Sequence, residues 1–254
     1  MIEGERMIEE NYQLYHGDCL EVMKEIPDKS VDMILCDLPY GTTQCSWDIV
    51  ISFEDLWKQY NRIIKDNGAI VLFGSEPFSS YLRMSNIKMF KYDIIWEKSK
   101  ATGFLNSKKR PLVAHENIHV FYKKQPTYNP QMVQGLAYNK GVRKPQTDDD
   151  VYGKFEQVEV KSDGKRFPRS VQYFKTAESE GKTSHKTQKP VSLLMYLIKT
   201  YTNENEVVLD NCMGSGSTIV AALNTNRKAI GIELDDKYFN IAKERIEAHE
   251  KSLF

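Results

Sequence analysis

The chain has 254 residues, 41% hydrophobic and 28% charged, with 35 Lys and Arg against 35 Asp and Glu, so it is long enough to bury one sizeable core and carries no net charge. No apolar stretch approaches the roughly 20 residues that cross a bilayer, and the acidic, polar start MIEGERMIEE lacks the segments of a secretory leader, so a membrane protein is excluded and a cytoplasmic location is expected. Cys19, Cys36, Cys45 and Cys212 form no C-x-x-C pair and no zinc-ligand spacing, which reads as four reduced, structural thiols.

In chain order, Tyr12 to Tyr15 reads as a short strand, followed by Gly17-Asp18 and a short helical pattern from Cys19 to Ile26 that Pro27 ends. The apolar run Val31 to Cys36 is a buried strand that stops at Asp37. Phe53, Leu56, Trp57, Tyr60, Ile63 and Ile64 share one helical face, a core stripe, and Asn67-Gly68 is expected to supply a left-handed stop before the strand Ala69 to Phe73. A helix near Glu76 to Ile87, a strand at Tyr92 to Trp96 and another at Asn117 to Tyr122 complete the first half. His115 and His119 lie on one face of that last strand, without the Cys or acid partners that a metal site needs.

From Lys123 to Lys186 periodicity fades into Pro, Gly, Asp and Lys-rich sequence, too long for a structureless loop and so expected to be a small recognition region. Alternation resumes with Pro190 at the first turn of a helix to about Tyr201. A strand, Glu206 to Leu209, ends at Asp210, a glycine-rich turn and a helix Ile219 to Asn224 follow, and a strand Ala229 to Ile232 ends at Glu233. A long helix from about Asp236 closes the chain. Strands that alternate with helices predict an α/β fold with a mostly parallel sheet.

Zero net charge hides a segregation. Residues 98–189 hold 19 Lys and Arg against 9 Asp and Glu, leaving 16 against 26 elsewhere. Aromatics including Phe104, Tyr128, Tyr138, Phe155, Phe167 and Tyr173 interleave that basic segment, a pattern suited to phosphate contacts with stacking or wedging side chains.

Two strand ends carry chemistry. Asp37-Leu38-Pro39-Tyr40 sets an acceptor, a rigid turn and an aromatic ring where ligands of open α/β sheets bind, the parts needed to hold a planar base by its amino group. Near the other end, Gly214 and Gly216 let backbone approach a ligand, and Glu233 is placed to accept two ribose hydroxyls. The turn lacks the third glycine of a dinucleotide fingerprint and the lysine of a phosphate-binding loop, which points to a nucleoside without a pyrophosphate, namely S-adenosyl-L-methionine.

Asp37 to Tyr40 early, Asp210-Asn211-Cys212-Met213-Gly214-Ser215-Gly216-Ser217-Thr218 late, and Lys186-Thr187-Gln188-Lys189-Pro190 just before the second half together resemble the amino-methylating (N6-adenine/N4-cytosine) DNA methyltransferases. The order is similar to their beta group, in which the D-P-P-Y-type catalytic motif precedes the recognition region and the cofactor motif comes last. The resemblance covers nearly the whole chain except the middle. It implies a Rossmann-like S-adenosylmethionine-dependent fold with circularly permuted motifs: one methyltransferase domain over 1–254, with a catalytic half 1–122, an inserted target-recognition region 123–186 and a cofactor-binding half 187–254. The departures are Leu38 for a proline, Asn211 and Cys212 for Pro-Phe, and Lys186 for a proline.

Carried over by position, the resemblance implies catalytic roles for Asp37, Leu38, Pro39 and Tyr40, and cofactor contacts from Asp18, Asp37, Lys189, Asp210, Cys212, Gly214, Ser215, Gly216 and Glu233. DNA contacts are expected from Lys108, Lys109, Arg110, Arg143, Lys144, Arg166, Arg169 and His185 in the basic segment. The substrate expected is double-stranded DNA, with a homodimer and a cognate restriction endonuclease as further partners and no metal. In this reading Asp37 and the carbonyl of Leu38 or Pro39 accept the two amino hydrogens of a flipped base, Tyr40 stacks on it, and the methyl passes directly in line. Asp at position 37 favours adenine. N4-cytosine methylation is the nearest alternative, and methylation of RNA or protein, or a non-catalytic binding module, are further ones.

Overall fold

A computed structural model describes residues 5–41, 50–142, 157–181 and 188–251. Two units are present among these residues, one running to Asn129 and resuming at Ser170, the other formed by Pro130–Arg169. The first unit opens with β1 (Arg6–Ile8), β2 (Tyr12–His16), α1 (Cys19–Val22) with a 3-10 turn at Met23–Glu25, β3 (Val31–Cys36), α2 (Phe53–Ile63) and β4 (Ile64–Gly74). It continues through α3 (Phe78–Ser85), β5 (Phe90–Thr102) and β6 (Val113–Phe121). The second unit holds β7 (Val133–Gln134), β8 (Tyr138–Val142), β9 (Glu159–Ser162) and β10 (Lys165–Arg166), paired β7 with β10 and β8 with β9. After it come β11 (Val171–Phe174), α4 (Val191–Tyr201), β12 (Val207–Asp210), α5 (Ser217–Leu223), β13 (Lys228–Glu233) and α6 (Asp236–Lys251).

The first unit is built on a nine-stranded sheet in the order β1-β2-β13-β12-β3-β4-β6-β5-β11. Pairing from β2 through β4 is parallel, so β3, β12 and β13 end at the same edge and deliver Asp37, Asp210 and Glu233 to it. Helices cover both faces, as a sheet with two apolar faces requires. Met33, Leu35, Val71 and Phe73 pack with Leu197 of α4, Ile219 of α5 and Phe239 and Ile246 of α6. Ile34, Cys36, Ile70 and Leu72 pack with Val22 of α1, Leu56, Trp57 and Tyr60 of α2 and Phe78 and Leu82 of α3. The six residues of β3 are all buried, and its one charged member, Asp32, is paired with Lys65 at 2.6 Å and accepts from Val207 N at 2.9 Å.

Two expectations are corrected. Asn67-Gly68 is not a left-handed helix stop: α2 ends at Ile63, and Ile64 is already extended at φ −70°, ψ 137°. Ile64 pairs with Val31 and Ala69 with Met33, so residues 65–68 bulge out of the ladder and turn the chain inside the strand. Gly68 is needed there for close approach, because a Cβ would come within 2.7 Å of the Asp32 carbonyl oxygen. The second correction is β11, which lies in the stretch read as aperiodic yet joins the main sheet parallel to β5, with Val171 opposite Ile95. Four residues at a sheet edge, of which Val171 and Tyr173 are exposed apolar side chains, carry no polar-apolar alternation to be read from sequence. No helix among the described residues is long and apolar enough to cross a membrane.

Candidate active site

The carboxyl edge of the sheet opens into a cleft of about 1060 Å³ lined by Asp18, Asp37 to Tyr40, Lys189, Asp210, Cys212, Gly214, Ser215 and Glu233, among others. Asp37 and Glu233, 196 positions apart in the chain (233 minus 37), thus share one cavity. The cause is the parallel pairing of β13, β12 and β3.

At the end of β3, the Tyr40 hydroxyl donates to Asp37 Oδ1 at 2.6 Å, and its ring stacks on Phe78 with centroids 4.8 Å apart. Burial pushes the Tyr40 hydroxyl well above its ordinary range, aided by the Asp37 charge, so it stays a donor. The other oxygen, Asp37 Oδ2, is held by the ammonium of Lys189, which is 8% exposed. Lys189 lies 3.4 Å from Glu116 Oε2 and 5.0 Å from the centre of the Phe73 ring, while Glu116 Oε1 pairs with Lys98 at 3.1 Å. Burial alone would pull the Lys189 ammonium down, but the Asp37 and Glu116 carboxylates outweigh it and hold it above the usual lysine range. Burial likewise pushes Glu116 up, and the two lysines bring it below its ordinary value. Neither Glu116 nor Lys98 was singled out in the sequence, where an acid inside a β-branched strand was the available sign.

The turn after β12 is fixed from several sides. Tyr60 donates to Asn211 Oδ1 at 2.5 Å, Met213 N donates to the Ile232 carbonyl at 2.9 Å, and Arg245 donates to the Ser215 carbonyl at 3.1 Å and to Ser217 Oγ at 2.8 Å. Gly216 sits at φ 76°, where a side chain is strained, and its Cβ would press on Ile246 at 3.1 Å and Ala242 at 3.2 Å. Glu233 accepts from Gly214 N at 2.8 Å and Asp235 N at 2.9 Å, which locks its carboxylate beside the turn. Asp18 Oδ1 caps α1 through Leu20 N at 2.8 Å and Glu21 N at 3.2 Å.

Asp210 is 4% exposed, and burial pushes its carboxyl up to about 6 against the hydrogen bonds from Thr218 and Cys212 N. In the unfolded chain the group titrates near 3.9, so the folded state binds more protons between the two values and this group's contribution to stability falls as pH rises from about 4 to 6. Asp210→Asn removes that slope. Thermal melts of both proteins across this window are expected to show the variant gaining on wild type with rising pH, by at most about 3 kcal/mol. Parallel curves would refute the assignment.

The expected DNA contacts are dispersed. Arg110 is exposed and lines the cleft with His115, whereas Lys108 and Lys109 are exposed outside it. In the second unit Arg169 is exposed, and Arg166 donates to the Leu136 carbonyl at 2.9 Å with its guanidinium 5.0 Å from the Tyr138 ring centre. Arg143, Lys144 and His185 lie outside the described residues. His119 is fully buried between Asp93, 2.6 Å from Nδ1, and Ser79, 2.9 Å from Nε2, and ties β6 to β5 and α3. Among the described residues no group of three His, Cys, Asp or Glu is placed to hold a metal ion.

A nucleoside cofactor fits this turn. Glu233 keeps acceptor capacity beyond the backbone donors of Gly214 and Asp235, the two glycines keep the loop free of bulk, and the turn Asn211 to Thr218 itself carries no Lys or Arg. Sheet order, strand-end acids and glycine turn define a Rossmann-like methyltransferase of the S-adenosyl-L-methionine-dependent class. The chain belongs to the N6/N4 DNA methylase family, whose sequence profile matches residues 31–244, and it is a DNA amino-methyltransferase. It is 30% identical to the Type II methyltransferase M.HinfI of Haemophilus influenzae over 91% of this chain and 67% of that one. It is 25% identical to the Type II methyltransferase M2.MboI of Moraxella bovis over 93% and 88%. Among solved structures it is similar to the M1.HpyAVI–SAM complex, with a TM-score of 0.65 and 27% identity over 92% of this chain and 98% of the other. The PvuII DNA methyltransferase (cytosine-N4-specific) shares the fold at a TM-score of 0.66 with 16% identity, over 92% of this chain and 86% of that one.

Proposed function

We propose that the protein methylates the exocyclic N6 amino group of adenine in duplex DNA at a specific site, with Asp37 to Tyr40 as the catalytic segment. The observation that carries this reading is the Asp37 carboxylate at the end of β3, oriented by the Tyr40 hydroxyl and sharing a cleft with the glycine turn. An exocyclic amine conjugated to a ring is a poor nucleophile. Asp37 accepts one of its hydrogens and the carbonyl of Leu38 or Pro39 the other, which returns the lone pair to nitrogen as positive charge develops there. The Tyr40 ring, braced by Phe78, fixes the plane of the base. Glu233, Gly214, Ser215, Gly216, Asp210 and Asp18 would hold S-adenosyl-L-methionine, which supplies an electrophilic sulfonium methyl when bound.

Base pairing buries the amino group, so the base has to leave the duplex, at a cost of a few kcal/mol in unstacking. Phe104 and Leu105, 74% and 84% exposed, sit between the cleft-lining Thr102 and the exposed Lys108, Lys109 and Arg110, which suits a duplex lying across the mouth. The second unit, with Arg166 and Arg169, is the region we assign to sequence recognition. A homodimer and a cognate restriction endonuclease are proposed as further partners, the second supported by the Type II names of the curated relatives.

The test is transfer of labelled methyl from S-adenosylmethionine to unmethylated duplex DNA, with nucleosides identified by mass. N6-methyladenine is the expected product. N4-methylcytosine would keep the site and overturn the base, and no label above an Asp37→Ala control would discard the reading.

A further inference from the structure

The lysine on Asp37 has a second acceptor waiting. Glu116 Oε2 is buried without a hydrogen-bond partner, although Lys189 Nζ stands 3.4 Å away, within ion-pair range but outside hydrogen-bond geometry. An unsatisfied buried carboxylate oxygen is costly, and a small rotation of the lysine satisfies it. The four groups Asp37, Lys189, Glu116 and Lys98 carry two negative and two positive charges, so the shift creates no net charge in the cluster.

From this geometry we infer that Glu116 is a positioning residue that draws Lys189 off Asp37 when the target base enters, so that Lys189 works as a two-station switch between these carboxylates. The inference rests on the reading of Asp37 as the acceptor of the amino group. With Lys189 on Oδ2 and Tyr40 on Oδ1, both oxygens of Asp37 are engaged and its charge is neutralised, which makes it a weak acceptor. Lys189 parked on Glu116 leaves Asp37 with one free oxygen and its full charge beside a nitrogen that becomes positive during transfer. The protonated state of Lys189 and the ionised state of Glu116, each favoured by the other's charge, keep the switch loaded near neutral pH. Lys98 fixes the far oxygen of Glu116 and so aims the near one.

Glu116→Gln and Glu116→Asp, assayed with duplex DNA at saturating cofactor, separate positioning from folding. Glu116→Gln is expected to lower kcat about tenfold or more with KM for DNA and cofactor affinity little changed, and Glu116→Asp, which keeps the charge, to recover part of the loss. Single-turnover rates then give the decisive comparison. In a Lys189→Gln background, Glu116→Gln should cost nothing further, because Glu116 acts only through the lysine. A further tenfold drop in the double variant would overturn the inference; because Lys189 is also an expected cofactor contact, each variant is assayed at its own saturating cofactor concentration, where complete loss of single turnover in Lys189→Gln would overturn it as well. Turnover retained by Asp37→Ala would instead remove the acceptor reading beneath it, a separate and distinguishable failure.

Discussion

Asp37→Ala is expected to lower the rate of methyl transfer by about 10³-fold while the variant still binds duplex DNA, because removing one preorganised acceptor of a transition state costs on that order. Asp37 is placed by β3, whose residues are buried on both faces between α4–α6 and α1–α3, so its backbone does not depend on the side chain removed. What the substitution deletes is the partner of Tyr40 and Lys189 and the negative charge at the cleft floor. Rapid-quench rates on duplex DNA, with gel-shift affinity measured on the same preparations, check this. A variant within tenfold of wild type would place the acceptor elsewhere.

Glu233→Ala is expected to weaken S-adenosylmethionine binding by about 10²-fold, the scale of losing charge-assisted hydrogen bonds to the ribose. The same carboxylate also orders the turn through Gly214 N, so Glu233→Gln, which keeps an acceptor for that donor, should lose less. Burial pushes the Glu233 carboxyl above its ordinary value, against the backbone hydrogen bonds that pull it down. Protonation removes acceptor capacity, so wild-type affinity should fall as pH falls through that raised value, and Glu233→Gln should lack this component. Calorimetric titration at several pH values measures both effects. Equal affinities of wild type and Glu233→Ala would reject the role.

The elements nearest the cleft were legible because their signals are local. β3 was read at its observed bounds from an apolar run, and β12 and β13 within one or two residues from runs that end in an acid. The helix stop at Asn67-Gly68 was misread because glycine serves close approach as well as positive φ, and only the neighbour, here the Asp32 carbonyl, tells which. β5 was read as Tyr92 to Trp96 but runs Phe90–Thr102, since its far end is exposed and polar and is held by antiparallel pairing with β6 rather than by burial.

By itself the sequence determined which residue types stand at strand ends, an acid with a Pro-Tyr turn just after β3, an acid closing β12 before a glycine turn and an acid closing β13, and hence the class of chemistry to expect. Each is set by hydrophobic runs and turn residues within a few positions. Only the tertiary structure decided what those groups touch. The Lys189–Asp37 contact joins residues 152 positions apart, Glu116 and Lys98 reach the cluster by the pairing of β5 with β6, and Tyr60 meets the glycine turn from a helix on the other side of the chain's midpoint. Such contacts follow from strand order and register, which depend on the packing of all elements at once, and a local pattern carries no record of them.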